Sequence, residues 1–290
     1  MRCGLFGTGH WARATQGAAL ARHPGVELVG VWGRDPARAT ALAAELGVRP
    51  YADTDALIAD VDLVAIALPP DIQAAIAARA AAAGRHLLLD KPLALTVADA
   101  DAVVAAVDRA GVASVVFFTA RFQPGVAAFL RSGIEWDGAR FAMYGSIFEP
   151  GNPYGGSAWR RAKGGLWDLG PHALGLALPV FGPARDVTAV TGRHDTTYVL
   201  VRHDSGAVSQ LELTLDAPTA HFATQFFGPT GPVDLPADAT TSVEAFGIAI
   251  DELLATVAAG ATGHPCDVRF ARDVVAVLAR AEHAASGFAG

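Results

Sequence analysis

Gly7-Thr8-Gly9-His10-Trp11-Ala12 is the first run in this chain whose residue types and spacing suit chemistry. Two glycines let the backbone turn tightly and come close to a phosphate, and the N–H groups at the start of a following helix then face that charge. Ala12, the third small position, lets such a helix pack closely on a strand. Alone, a GxGxxA run is also a plain strand-to-helix turn. Here it follows an apolar strand pattern at residues 2–6 and opens a βαβαβ alternation. That context assigns Gly7, Thr8, Gly9, His10 and Trp11 to the pyrophosphate of a dinucleotide cofactor.

Gly33-Arg34 ends the second strand pattern, residues 27–32, where the adenosine ribose of such a cofactor lies. An acidic residue there binds ribose hydroxyls and repels a 2′-phosphate. This chain has no carboxylate at 33 or 34, and Arg34 suits a phosphate or the adenine face. Asp35 reads as the cap of a helix whose first residue is Pro36. NADP(H) is therefore expected, with NAD(H) as the alternative.

Asp90-Lys91-Pro92 closes another strand, residues 86–89, and Leu68-Pro69 closes the one before it, residues 61–68. Ligands of open parallel sheets bind at the carboxyl ends of strands, so Leu68, Pro69, Asp90 and Lys91 are assigned to the cofactor cleft. An ammonium at Lys91 can donate to an oxygen on a reacting carbon, and a neighbouring oxidised nicotinamide would lower its pKa. In isolation it is also simply a surface lysine before a turn. Asp168 and His172 are four residues apart behind Gly164-Gly165, which on a helix puts them on one face. The imidazole suits proton exchange with an alcohol, and the carboxylate can orient it. As a lone pair, a helix N-terminus with an aspartate cap and an incidental histidine is the better reading of them.

The elements that must position these residues alternate over the first 120 residues. Asp35 starts a helix that runs to Gly47, Asp71 one that runs to Gly84, and Thr96 a capping-box helix that runs to Gly111, before a strand at 114–119. That is the pattern of a doubly wound parallel sheet. Beyond residue 120 the period changes. Residues 207–215 alternate, with Leu211, Leu213 and Leu215 on a buried face and Gln210, Glu212 and Thr214 opposite. Asp204-Ser205-Gly206 turns this strand back on 197–202, and 140–149, 186–191 and 221–227 are further strands, giving a mostly antiparallel sheet with a helix on one face. Two C-terminal helices follow, one carrying Val243, Phe246, Ile250, Leu253 and Val257, the other Phe270, Val274 and Leu278.

The chain has 290 residues, 52% hydrophobic and 18% charged, with a net charge of −7, so it is globular and a poor partner for nucleic acid. Apolar runs stop far short of a membrane span. Cys3 and Cys266 show no paired spacing, and no basic leader with an apolar stretch precedes the first strand, so a reduced, cytoplasmic protein is expected. Nine histidines include no HxH or HExxH pair, and His10, His23 and His86 fall at turns or strand ends, so no metal site is expected. Phe148, Tyr154, Trp159 and Trp167 read as core or hinge packing. Arg160, Arg161 and Lys163 read as solvent-exposed, with an anionic substrate as the other role open to them.

In combination, Gly7-Thr8-Gly9, Asp90-Lys91-Pro92 and Gly164-Gly165 with Asp168 and His172 resemble the Gfo/Idh/MocA family of sugar and cyclitol dehydrogenases. Residues 61–69 are similar to the family's third nucleotide-domain strand, Arg121-Phe122-Gln123-Pro124 to its domain junction, and Ala158-Trp159-Arg160-Arg161 to the run ahead of its glycines. The resemblance implies a Rossmann domain over 1–120 and an α+β domain with an open sheet over 121–290. It implies that Lys91, Asp168 and His172 form the catalytic group, and that the open sheet joins copies into a homodimer or homotetramer. Asp90 stands for the usual glutamate, Gln73 for a common histidine, Lys163 for a glycine and Leu176 for an acidic residue, and 231–242 is short. The expected reaction is hydride transfer between nicotinamide and a secondary alcohol or ketone of a sugar, cyclitol or related polyol. Two alternatives are a transient oxidation with elimination or hydrolysis on tightly held cofactor, and a nucleotide-binding sensor, which has no need of the catalytic three.

Overall fold

The computed structural model describes residues 1–287. The chain divides into two compact units, Met1–Phe122 with Thr240–Asp273, and Gln123–Ala239 with the chain from Val274 onward. This differs from a single cut after residue 120, and aromatic contacts are the reason. Phe246 meets Phe117 edge-on at 4.9 Å, Phe270 meets Phe118 at 5.3 Å and His264 stacks on Phe122 at 6.2 Å. The Cys266 carbonyl also accepts the Val116 N–H at 2.7 Å.

The first unit holds a six-stranded parallel sheet in the order β3-β2-β1-β4-β5-β6. β1 is Arg2–Phe6. A π-helical turn, Ala12–Gly17, leads into the short α1, Ala18–Leu20. β2 (Glu27–Trp32), α2 (Pro36–Leu46), β3 (Arg49–Tyr51), α3 (Thr54–Ala59) and β4 (Leu63–Ile66) follow. Then come α4 (Pro70–Ala82), β5 (His86–Asp90), α5 (Val97–Ala110) and β6 (Ser114–Phe117). All four β4 residues are fully buried, as a strand covered on both faces requires. Asp35 caps α2 and Thr96 caps α5, each through N–H groups of the first turn. Asp71 does not cap α4: Pro69 occupies that place, Pro70 fixes the first helical φ, and Asp71 lies inside the first turn. The strand expected over 61–68 is correspondingly shorter. β3 and α3 had no counterpart in the sequence reading.

The second unit has α6 (Pro124–Leu130), β7 (Gly138–Ser146), α7 (Ala158–Asp168), α8 (Gly170–Phe181), β8 (Ala184–Thr191), β9 (Thr197–His203), β10 (Val208–Thr214), β11 (Asp216–Gly228) and β12 (Gly231–Asp234). The sheet order is β12-β11-β7-β10-β9-β8; β7 and β10 run parallel and every other pair antiparallel. Phe141, Val199, Val201, Leu211, Leu213 and Phe226 are buried, and Phe181 of α8 stacks on Phe226 at 5.8 Å. The other face leaves Val190, Tyr198, Leu200, Val208 and Phe227 exposed. Glu212 and Thr214, expected on an open face, are instead buried. Arg140, Gln210 and Tyr144 donate to the Glu212 carboxylate at 3.0, 2.9 and 2.5 Å, and Thr214 donates to the His194 carbonyl at 2.9 Å. α9 (Ser242–Ala258) starts at a Thr241/Glu244 capping box and buries Phe246, Ile250 and Leu253; α10 is Val268–Ser286. Among the described residues no helix is long and apolar enough to cross a membrane, and no group of three His, Cys, Asp or Glu side chains stands ready to hold a metal ion.

Candidate active site

In the first unit the sheet order reverses between β1 and β4, so the carboxyl ends of β1, β4 and β5 lie in succession along one edge. Gly7 leaves β1 with φ +136°, and its N–H donates to the Trp32 carbonyl at 2.8 Å. A Cβ at Gly7 would stand 2.3 Å from the Ala67 carbonyl oxygen, so only glycine fits. Gly9 and His10 are exposed, and Arg13 returns its N–H to the Gly9 carbonyl, which makes Gly9 the first acceptor of the helix. The turn is thus the N-terminal end of a helix, where backbone donors gather against an anion. Two features fit a dinucleotide. Among the described residues a Cβ on Gly9 meets nothing within 4 Å, and Trp11 Nε1 is a buried donor without an acceptor.

Gly33 is buried at the end of β2, and Arg34 beside it is exposed with no ion pair among the described residues. Asp35 is engaged as the cap, its Oδ1 accepting the Ala37 and Arg38 N–H groups at 2.9 and 3.2 Å. Leu68 and Pro69 follow β4 half-buried. At the end of β5, Asp90 folds its carboxylate back on the Lys91 N–H at 2.9 Å, a reach that its short side chain allows. The Lys91–Pro92 peptide is cis.

In the second unit, Gly164 bends α7 with φ +61°, and a Cβ on Gly165 would lie 2.7 Å from the Thr214 N, so the two glycines let α7 turn and press against β10. Asp168 ends α7, and His172 lies in the first turn of α8. They do not share one unbroken helical face. Pro171 has no N–H to give the Trp167 carbonyl, and the His172 N–H goes to Leu169 at 2.9 Å.

The expectation of solvent-exposed cations does not hold for Arg160. Its Nε donates to Asp168 Oδ2 at 2.8 Å, with the two side chains 20% and 10% exposed. Its guanidinium lies over Trp159 at 4.6 Å and Tyr154 at 4.9 Å. Arg161 donates to the Gly155 carbonyl at 2.7 Å and lies over Phe148; Lys163 pairs with Glu282 at 2.8 Å and lies over the fully buried Trp167. All four aromatics expected to be core or hinge packing therefore serve as platforms for cations, Trp167 while fully buried. A cavity of 610 Å³ lies in this unit, lined by Arg161, Lys163, Asp195, Asp216 and Glu282 among others, and burial together with Asp216 raises the Asp195 pKa.

A glycine turn at the switch point of a parallel sheet, with a lysine at the end of a nearby strand, defines a dinucleotide-binding Rossmann unit. Residues 1–118 match the oxidoreductase family with NAD-binding Rossmann fold, and residues 138–233 match the GFO/IDH/MocA C-terminal domain. The chain belongs to the Gfo/Idh/MocA oxidoreductase family. D-Apiose dehydrogenase of Paraburkholderia graminis is 32% identical over 72% of this chain and 58% of its own length. UDP-N-acetylglucosamine 3-dehydrogenase of Acidithiobacillus ferrooxidans is 30% identical over 73% of this chain and 66% of its own. The chain thus spans about three fifths to two thirds of these relatives. The solved structure of the latter enzyme, GnnA, aligns with a TM-score of 0.85 over 99% of this chain and 98% of its own at 22% identity. A levoglucosan dehydrogenase complexed with NADH and levoglucosan aligns at 0.85 over 99% of this chain and 97% of its own at 20% identity.

The glycine turn yields a clean test. Because nothing stands within 4 Å of a Cβ at Gly9, Gly9→Asp should fold as the wild type does, with an unchanged melting temperature. Its carboxylate would occupy and repel the pyrophosphate position, so titrations with NAD+ and NADP+ should show binding lost. Retained affinity in the folded variant would remove the cofactor assignment.

Proposed function

We propose that the protein is an NAD(P)-dependent dehydrogenase that moves a hydride between nicotinamide and a secondary alcohol or ketone of an uncharged sugar or cyclitol. The observation that carries this reading is Lys91 at the carboxyl end of β5, in the same edge as the glycine turn of β1. A bound nicotinamide would supply the hydride acceptor or donor. Lys91 holds the substrate oxygen by donating to it, His172 takes the hydroxyl proton during oxidation and returns it during reduction, and Asp168 orients the imidazole or the substrate. The engagement of Arg160, Arg161 and Lys163 within the chain supports a neutral substrate, since each of these cations already has a partner. Two buried cysteines, both free of a disulfide among the described residues, support a reducing, cytoplasmic location, which cell fractionation tests.

The exposed apolar face of the second sheet supports self-association into a dimer or tetramer, because Tyr198, Leu200, Val208 and Phe227 would gain burial there. A monomeric mass by light scattering at micromolar concentration would remove that proposal.

For the cofactor, the exposed Arg34, without an ion pair among the described residues, and the engaged Asp35 support NADP(H) over NAD(H). NADP+ should bind more tightly than NAD+. Arg34→Ala should weaken NADP+ by about ten- to a hundredfold, the worth of a charge-assisted hydrogen bond, and leave NAD+ nearly unchanged. Equal or reversed wild-type affinities would refute it.

For the reaction, a panel of D-apiose, D-xylose, D-glucose, levoglucosan and myo-inositol, read by reduced-nicotinamide absorbance, should give turnover with at least one sugar or cyclitol. With that substrate, Lys91→Ala and His172→Ala should each slow turnover by about 10²–10⁴ while nucleotide binding survives. Asp168→Asn should act in the same direction, and less. Wild-type rates in the folded variants would overturn the catalytic assignment.

A further inference from the structure

Gln73 stands on α4 with its side chain fully buried, and its amide is spent on the backbone around Lys91. Nε2 donates to the carbonyl of Asp90 at 2.7 Å, of Pro92 at 3.0 Å and of Leu93 at 3.3 Å. Oε1 accepts the Asp90 N–H at 2.9 Å. One amide therefore takes both backbone groups of the residue before Lys91 and reaches the two residues after it. The Asp90 carboxylate adds a third hold, on the Lys91 N–H itself.

A buried amide donor and acceptor left without partners would each carry a desolvation penalty, so the cluster has one low-energy arrangement. The amide offers donor and acceptor together, and neither titrates. A leucine of similar size would fill the space but leave these carbonyls and the Asp90 N–H unpaired. Gln73 is more than filler on these grounds. Both backbone flanks of Lys91 are thereby fixed.

We propose that Gln73 is the positioning residue for Lys91: its buried amide sets where and in what direction the end of β5 delivers the ammonium. The proposal rests on Lys91 as the group that holds the substrate oxygen. A misplacement of about 1 Å at a reacting group costs on the order of a hundredfold in rate, so loss of the grip should be visible in turnover.

The chain contains two lysines, Lys91 and Lys163, which makes the test direct. Lysine labelled with 13C at Cε gives two side-chain NMR signals in the full-length protein, and Lys163→Arg assigns them. In Gln73→Ala saturated with NADP+, the Lys91 signal should broaden or split and lose part of its NADP+-induced shift, while the Lys163 signal stays in place. Turnover of the panel substrate should fall about ten- to a hundredfold, with NADP+ affinity retained. Adding Gln73→Ala to Lys91→Ala should slow the enzyme no further, and Gln73→His, which keeps one donor and one acceptor, should recover part of the loss. If Gln73→Ala does not fold, Gln73→His carries the same measurements against the wild type. An unmoved Lys91 signal in a folded variant overturns the proposal, as does an equal further loss in the Lys91→Ala background, which marks a purely structural role. If Lys91→Ala itself turns over at the wild-type rate, the catalytic reading fails, and the NMR signals still decide whether Gln73 positions the lysine.

Discussion

Backbone crowding where β1 ends is the constraint on which the first unit's chemistry depends. The Gly7 N–H is committed to β2 through the Trp32 carbonyl, and the Ala67 carbonyl after β4 stands where any side chain at position 7 would begin. A chain so confined between two neighbours can leave the sheet only by turning outward over its carboxyl edge. Gly9 then lies in open space at the start of a helix. The same edge carries the end of β5, so the geometry that makes room for a pyrophosphate also fixes where Lys91 emerges. The glycine turn and the strand end that carries Lys91 share one cause, the parallel alignment of strands whose neighbours run in opposite sequence order.

Much of that frame is legible in the sequence because its signals are local. Apolar runs ending in Gly or Pro mark β1, β4 and β5, and Asp35 and Thr96 mark their helices through caps that act within one turn. β3 escaped notice because it is three residues long, includes Pro50 and lies at an edge, where no continuous apolar run is needed. The return of Thr240–Asp273 to the first unit rests on Phe246 against Phe117 and Phe270 against Phe118, contacts between residues more than a hundred positions apart. Periodicity shows that α9 has an apolar face and is silent about which sheet receives it.

The candidate site was legible in its residue types and less so in their couplings. Lys91, Asp168 and His172 stand out only in combination, through the resemblance to the family; alone they read as a surface lysine and a helix cap with an incidental histidine. Gln73 showed only as an unusual residue, since nothing in a helical pattern reveals that its amide turns inward on a strand end. Arg160 was taken for a surface charge because its partner is eight residues on, a spacing that an unkinked helix does not bring together and that the bend at Gly164 makes possible.

The Arg160–Asp168 pair shows what such a coupling does within the second unit. A carboxylate 10% exposed needs a counter-charge, and a neutral neighbour cannot supply one. Arg160 does, and the faces of Trp159 and Tyr154 hold its guanidinium in place. Burying such a pair gains little net stability, because the desolvation of both ions offsets their attraction. What it secures is orientation, with the carboxylate fixed at the α7–α8 junction near the first turn that carries His172. A guanidinium committed to this task is withdrawn from phosphate or carboxylate recognition. The contact that fixes this carboxylate thus commits one buried anion and one cation to each other at the junction of the two helices.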